Sequence, residues 1–213
     1  MSNPLVLFGV PVYSYDKYIG SKPHSVNDLD TIGRTGFMQN EGKNFVSMNQ
    51  SVLDLKNFKS IKDRILEGLR EYTKNILCFA DHIEFYLIQS WLNLSPPGTY
   101  HHRHIHPNSF LSGVYYIDVD EEASITFVSS NPDRRHGSVS FDIPLREYNI
   151  WNSLAWHYKV QTNQIIYFPA TLEHEVSMNQ SDKDRISLAF NIFFKGTIGD
   201  AHGMNIATIG NYI

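Results

Sequence analysis

The chain has 213 residues, 42% hydrophobic and 13% aromatic, enough to bury a sizeable core in one domain. A formal net charge of −4 argues against a general electrostatic grip on nucleic acid or an anionic membrane, although Asp133 to His136 forms a local basic patch. The single cysteine, Cys78, excludes an internal disulfide framework and a multi-cysteine zinc site. Cys78 lies in the apolar run Ile76 to Ala80 and reads as an inert, buried thiol. No basic-then-apolar leader opens the sequence, and no run approaches the ~18 apolar residues of a membrane span. A soluble, cytoplasmic protein is therefore expected.

Leu5 to Tyr13 is apolar and β-prone, with Pro11 favouring an edge position. Gly20 to Gln50 is rich in Gly, Ser, Asn and Asp and reads as long loops with short strands. Phe58, Ile61, Ile65, Leu69, Tyr72 and Ile76 then recur at steps of three and four, which predicts an amphipathic helix over residues 56–77. Gly68 weakens its interior only slightly. A single such helix buries its stripe against the back of a β-sheet.

Beyond the helix the pattern changes to strands. Ile83 to Leu94 stops at the turn Ser95-Pro96-Pro97-Gly98. A histidine-rich stretch, Tyr100 to Ile117, follows, and then Ala123–Val128, Ser138–Asp142, Gln164–Pro169 and Arg185–Phe194. Short strands with turns between them predict a mainly β antiparallel barrel or jelly roll. One domain spans 1–213: strands, loops and the helix over 1–80, a strand core over 83–195, and a tail over 196–213. The tail carries four glycines and is expected to be irregular or to pack as a swapped strand.

The histidine stretch holds His101, His102, His104 and His106 among ten histidines in all. Side chains two apart on an extended segment share a face, so either His102 with His104 or His104 with His106 can reach one metal ion. A polar turn rich in histidine is the alternative. Far downstream, His174 lies between Glu173 and Glu175, and Arg185 opens a strand eleven positions later. On that strand Arg185, Ser187, Ala189 and Asn191 share one face, while Ile186, Leu188, Phe190 and Ile192 share the other. An arginine on the inner face of a barrel implies an anionic ligand, or else a salt bridge to Glu173 or Glu175.

Taken together, His104-x-His106, the distant His174 and Arg185-x-Ser187 resemble the Fe(II)/2-oxoglutarate-dependent oxygenases, over roughly Trp91 to Phe194. Ser112 to Ile117 and Ile166 to Val176 look like one 2OG-Fe(II) oxygenase subfamily of largely unassigned substrate. The order Pro97-Gly98, Tyr100, His104-x-His106, Tyr115-Tyr116, His174, Arg185 is similar to the prolyl-hydroxylase branch. The resemblance implies a double-stranded β-helix (a cupin-like jelly roll) and Fe(II) held by His104, His106 and His174. It further implies 2-oxoglutarate as cosubstrate, with its distal carboxylate on Arg185, Ser187 and Tyr116 and with Asn93 in its wall. Asn191 and Asn108 are expected to flank the prime substrate, and His101 and His102 to be rim residues, solvated or near substrate. The family's usual set is two histidines and one carboxylate, yet neither Asp nor Glu occurs between Ser90 and Ile117. His106 therefore stands where the carboxylate is usual, or a ligand is missing there and water fills its place.

The activity this implies is hydroxylation of a small-molecule or peptide substrate by molecular oxygen, with release of succinate and CO2. Two alternatives stay open: a cupin-like three-histidine metalloenzyme that does not use 2-oxoglutarate, and a non-catalytic binding barrel. Assembly into homo-oligomers is compatible with the sequence and undecided by it.

Overall fold

The computed structural model describes residues 9–16, 36–129, 144–150, 152–200 and 202–210. The expected strand at Ser138–Asp142 and the start of the strand expected at Leu5–Tyr13 lie outside them. Among the described residues the strands are β1 (Tyr13–Tyr15), β2 (Phe37–Gln39), β3 (Phe45–Ser47) and β4 (Glu84–Ser95). They continue with β5 (His101–His104), β6 (Leu111–Asp118), β7 (Ser124–Val128) and β8 (Ala155–Lys159). The last four are β9 (Ile165–Pro169), β10 (Glu173–Val176), β11 (Arg185–Ile198) and β12 (Ala207–Ile209). The larger sheet runs β1-β9-β6-β11-β4-β3-β2, with β12 added to the end of β11, and the smaller runs β5-β10-β7-β8. Every ladder between these strands is antiparallel. The result is the jelly roll expected from the sequence.

The alternation on β11 decides how the layers stack. Ile186, Leu188, Phe190 and Ile192 point outward into one cluster with Ile61, Ile65 and Leu69 of the helix α1 (Lys59–Glu71). Complete burial of side chains such as Leu188, Phe190 and Ile192 contributes roughly 1.5–3 kcal/mol each. Between the sheets lies a second, smaller cluster that joins Tyr116, Ile166 and Phe168 to Ile125 and Phe127. The polar face of β11 looks into this inter-sheet space.

The helix packs on the back of the larger sheet as its stripe demands. Tyr167 on β9 donates its hydroxyl to the Ile65 carbonyl at 2.7 Å. Gly68 makes room for that approach, because a Cβ there would lie 2.6 Å from the Tyr167 hydroxyl and 2.9 Å from Tyr15 Cγ. The expected 56–77 helix is three pieces: a 3-10 turn at Lys56–Phe58, α1, and a π-helical turn at Tyr72–Ile76.

Two expectations change. Cys78 is exposed rather than buried, because the chain leaves the π turn through a left-handed residue at Cys78 (φ 52°) and turns the thiol outward. The tail is not irregular throughout: β12 forms a hairpin with the end of β11, with Thr197 opposite Thr208. No helix among the described residues is long and apolar enough to cross a membrane.

Candidate active site

The inner face of the larger sheet is a set of rungs fixed by register. Arg185 on β11 lies opposite Ser95 on β4. Ser187 lies between Asn93 on β4 and Tyr116 on β6, and Ala189 between Trp91 and Val114. Asn191 lies between Gln89 and Ser112. Period-two alternation sends all of these side chains to one side. Facing them from the smaller sheet are His104 on β5 and His174 on β10, directly opposite one another in the ladder. One cavity is lined by His104, His106 and His174 together with Arg185, Ser187, Tyr116 and Asn93. Every residue expected at the metal or the cosubstrate thus lines a single space.

His104, His106 and His174 bring ligand nitrogens within 4.8 Å of one another. His104 Nδ1 is 2.8 Å from the His102 carbonyl, and His174 Nδ1 is 2.9 Å from the Leu172 carbonyl. A carbonyl only accepts, so in both rings Nδ1 carries the proton and Nε2 keeps its lone pair. This is how protein scaffolds orient metal-binding histidines. His106 follows β5 and is held by its own N–H, which donates to the Ala170 carbonyl at 2.9 Å. Its Nε2 lies 3.2 Å from His174 Nε2, where His106 must be the donor.

The electrostatics suit a cation. Burial, reinforced by the His174, His104 and His101 imidazoles, pushes His106 down to about 3. Burial, with His104 adding to it, takes His174 down to about 4. His104 is lowered by burial as well, partly opposed by its bond to His102. All three are therefore neutral near pH 7 and available as ligands.

Arg185 is only 5% exposed, and the sole hydrogen bond of its side chain among the described residues is to the Ser177 carbonyl at 3.1 Å. The salt bridge weighed from the sequence does not form: Glu175 pairs with Arg103 at 3.1 Å, and no carboxylate among the described residues pairs with Arg185. Burial lowers the Arg185 pKa and raises that of Tyr116 beside it. Arginine nevertheless stays charged in proteins. Asn93 Oδ1 is buried with no hydrogen-bond partner among the described residues. A buried cation without a carboxylate partner fits an anionic guest, whereas the Asn93 oxygen would need a donor.

One side chain differs from expectation and the place of another is decided. Asn191 is not poised for substrate; it accepts from Ser112 Oγ at 2.8 Å and donates to Gln89 Oε1 at 2.9 Å, as the middle of a polar ladder. Of the two places left open for His101, solvated or near substrate, it takes the inner one and lines the cavity. That position has a visible cause: Val176 on β10 faces His101, two residues after His174 faces His104, so His102 and Arg103 of β5 oppose the single Glu175 of β10. That bulge brings His101 and His104 to one face despite their odd spacing. Trp91, its ring 5.7 Å from that of His106, also lines the cavity. It lies two residues before Asn93 on β4, a spacing that already places it on the same face. Asn108 is exposed in the turn after His106, in a left-handed conformation (φ 61°) that asparagine tolerates.

Residues 89–191 match the family described as "Putative 2OG-Fe(II) oxygenase". Over that stretch, the inner face of the jelly roll and its histidines, the chain is similar to the 2OG-Fe(II) oxygenases. The oxygenase fold recurs in solved structures of low identity. SnoK, a non-heme alpha-ketoglutarate-dependent carbocyclase from nogalamycin biosynthesis, is 12% identical (TM-score 0.59), with 93% of this chain and 88% of that one covered. A Pseudomonas putida prolyl-4-hydroxylase is 11% identical (TM-score 0.54), with 85% and 92% covered. HygX from Streptomyces hygroscopicus, solved with nickel, 2-oxoglutarate and hygromycin B, is 11% identical (TM-score 0.55), with 86% and 82% covered. A search of curated protein sequences returns no match. The family matched by residues 89–191 is one of Fe(II)- and 2-oxoglutarate-dependent oxygenases.

Proposed function

We propose that this oxygenase holds Fe(II) on His104, His106 and His174 and seats 2-oxoglutarate between that centre and Arg185. It then hydroxylates a substrate that is either a small molecule or a peptide side chain. The observation that carries this reading is Arg185, a buried guanidinium without a carboxylate partner among the described residues, in the same cavity as the three imidazoles. The donor set suits a first-row cation, since neutral imidazole serves Fe well. When bound, Fe(II) and 2-oxoglutarate reduce dioxygen, with one oxygen atom entering succinate, released with CO2, and the other entering the substrate.

The chain's own residues account for binding and orientation. Arg185 grips the distal carboxylate with two parallel N–H donors, and Ser187 and Tyr116 add hydroxyls from the next rung. Asn93 contributes an amide on the far side of Ser187. Arg185, Tyr116 and His174 are buried, which strengthens the contacts made there. Three neutral ligands leave the cation its full charge, whereas a carboxylate at position 106 would remove one unit. That extra charge favours a dianionic cosubstrate. The His104 and His174 rings are fixed before any metal arrives, by the carbonyls of His102 and Leu172.

Substrate choice is left to the rim of the cavity. A neighbour of this fold was crystallised with hygromycin B and another is a prolyl-4-hydroxylase, so both small molecules and peptides lie within reach of the architecture. Succinate formed from 2-oxoglutarate, Fe(II) and oxygen tests the reading. Wild-type protein turns over 2-oxoglutarate, and Arg185→Ala loses about 30-fold or more in 2-oxoglutarate affinity, as truncation of a buried charged pair does. Equal turnover and affinity in the two proteins would remove the Arg185 assignment.

A further inference from the structure

We propose that His101 is a positioning residue of the metal centre, tying the β2–β3 hairpin to His104 without being a ligand itself. The inference rests on the assignment of His104 as a ligand. Through the β5 bulge the His101 ring stacks on that of His104, with centroids 4.5 Å apart and planes 25° from parallel. Behind it stand two asparagines of the hairpin. Asn40 Nδ2 lies 3.4 Å from His101 Nε2, and Asn44 Nδ2 lies 3.3 Å from His101 Nδ1.

A neutral imidazole has one donor and one acceptor, so the two amides cannot both donate to it. Asn44 is fully buried, and its Oδ1 has no partner among the described residues. A half-turn of the Asn44 amide removes the conflict at the ring and gives Oδ1 a partner, presenting Oδ1 to His101 Nδ1–H while Asn40 donates to Nε2. Both ring nitrogens are then committed to the hairpin and neither remains for a cation. His104 has a single free nitrogen, because Nδ1 is bound to the His102 carbonyl. The grouping of His101, His102 and His104 within ligand distance is therefore not a second metal site.

The hairpin is itself anchored to both sheets. β3 pairs with β4 at Phe45–Leu94 and Val46–Asn93. On the other side the Tyr100 N–H donates to the Gly42 carbonyl at 3.1 Å. The approach is so close that a Cβ on Gly42 would fall 1.9 Å from the Tyr100 carbonyl oxygen. The hairpin thus closes the edge of the jelly roll beside Asn93, and His101 transmits its position to His104.

Cobalt(II) binding to the purified protein tests this, read as stoichiometry, affinity by chelator competition, and the visible d–d spectrum. Wild-type protein, His101→Phe, His101→Ala and Asn40→Ala should each take one Co(II), and His174→Ala should take none at the same concentration. His101→Phe keeps a ring against His104 and loses no more than about threefold in affinity. His101→Ala loses about 10–100-fold, the usual effect of removing an orienting partner, and shifts the d–d bands while its thermal transition persists. Asn40→Ala moves affinity the same way by about threefold, so the outcome does not depend on whether His101→Ala folds. Equal loss in His101→Phe and His174→Ala would make His101 a ligand and overturn the proposal. Unchanged affinity and spectrum in both His101→Ala and Asn40→Ala would overturn it too. Retention of Co(II) by His174→Ala removes the metal assignment beneath it, a failure separable from that of His101.

Discussion

His174 lies directly across the β5–β10 ladder from His104, with ring centroids 4.4 Å apart. The pairing converts seventy residues of sequence separation into one cross-strand contact, and each ring is held by a carbonyl two residues earlier in the chain. The same local device, used twice on adjacent strands, leaves two Nε2 lone pairs in the space faced by Arg185. A metal centre built this way depends on strand register more than on any loop.

Arg185 should cost the ligand-free protein stability. It is buried, with one carbonyl as hydrogen-bond partner and no carboxylate among the described residues. Arg185→Met fills similar volume without the charge and should raise the stability of the ligand-free protein by about 1–2 kcal/mol. Thermal denaturation in chelator-treated buffer reads this directly. A lower melting temperature would mean that the guanidinium is satisfied without a ligand.

His106→Asp restores the carboxylate usual in the family and lowers the site's charge by one. The variant should keep its metal and bind 2-oxoglutarate more weakly, on the order of tenfold, through lost attraction in a shielded site. Anaerobic calorimetric titration of the metal-loaded variant measures it. Tighter 2-oxoglutarate binding would contradict the charge argument.

At Gly68 the packing outweighs helix propensity. Alanine there gains about 1 kcal/mol of propensity, but its Cβ meets the Tyr167 hydroxyl and the Tyr15 ring. Overpacking of this kind costs about 1–3 kcal/mol, so Gly68→Ala should be destabilised or at best neutral by urea denaturation. A clear gain in stability would show that α1 can retreat from β9.

The ladder Gln89–Asn191–Ser112 predicts a stability effect rather than a loss of metal. Asn191→Leu strands the buried Ser112 hydroxyl and should cost about 1–3 kcal/mol. Urea denaturation gives the cost, and Co(II) affinity measured in parallel should stay near the wild-type value.

Much of this site is legible in the sequence wherever a simple period holds. The stripe from Phe58 to Ile76 marks the helix, and alternation on β11 separates the Arg185 face from the apolar face packed on α1. His104, His106 and His174 follow from the resemblance and converge in space. What escapes is what breaks a period or depends on a distant partner. His101 joins the cavity only through a bulge, which a count of two cannot anticipate. Cys78 sits in an apolar run yet faces out, because one left-handed residue reverses the chain. The tail strand β12 is three residues long and exists only because β11 extends far enough to pair with it.

The most direct test of the central claim is anaerobic titration of the Fe(II)-loaded protein with 2-oxoglutarate, followed by visible difference absorption. Chelation of the cosubstrate by a metal on His104, His106 and His174 should produce a saturable metal-to-ligand charge-transfer band. The band should be absent in His174→Ala and should need far more 2-oxoglutarate in Arg185→Ala. A wild-type protein that binds Fe(II) but gives no band, or a band unchanged by the loss of Arg185, would contradict the account.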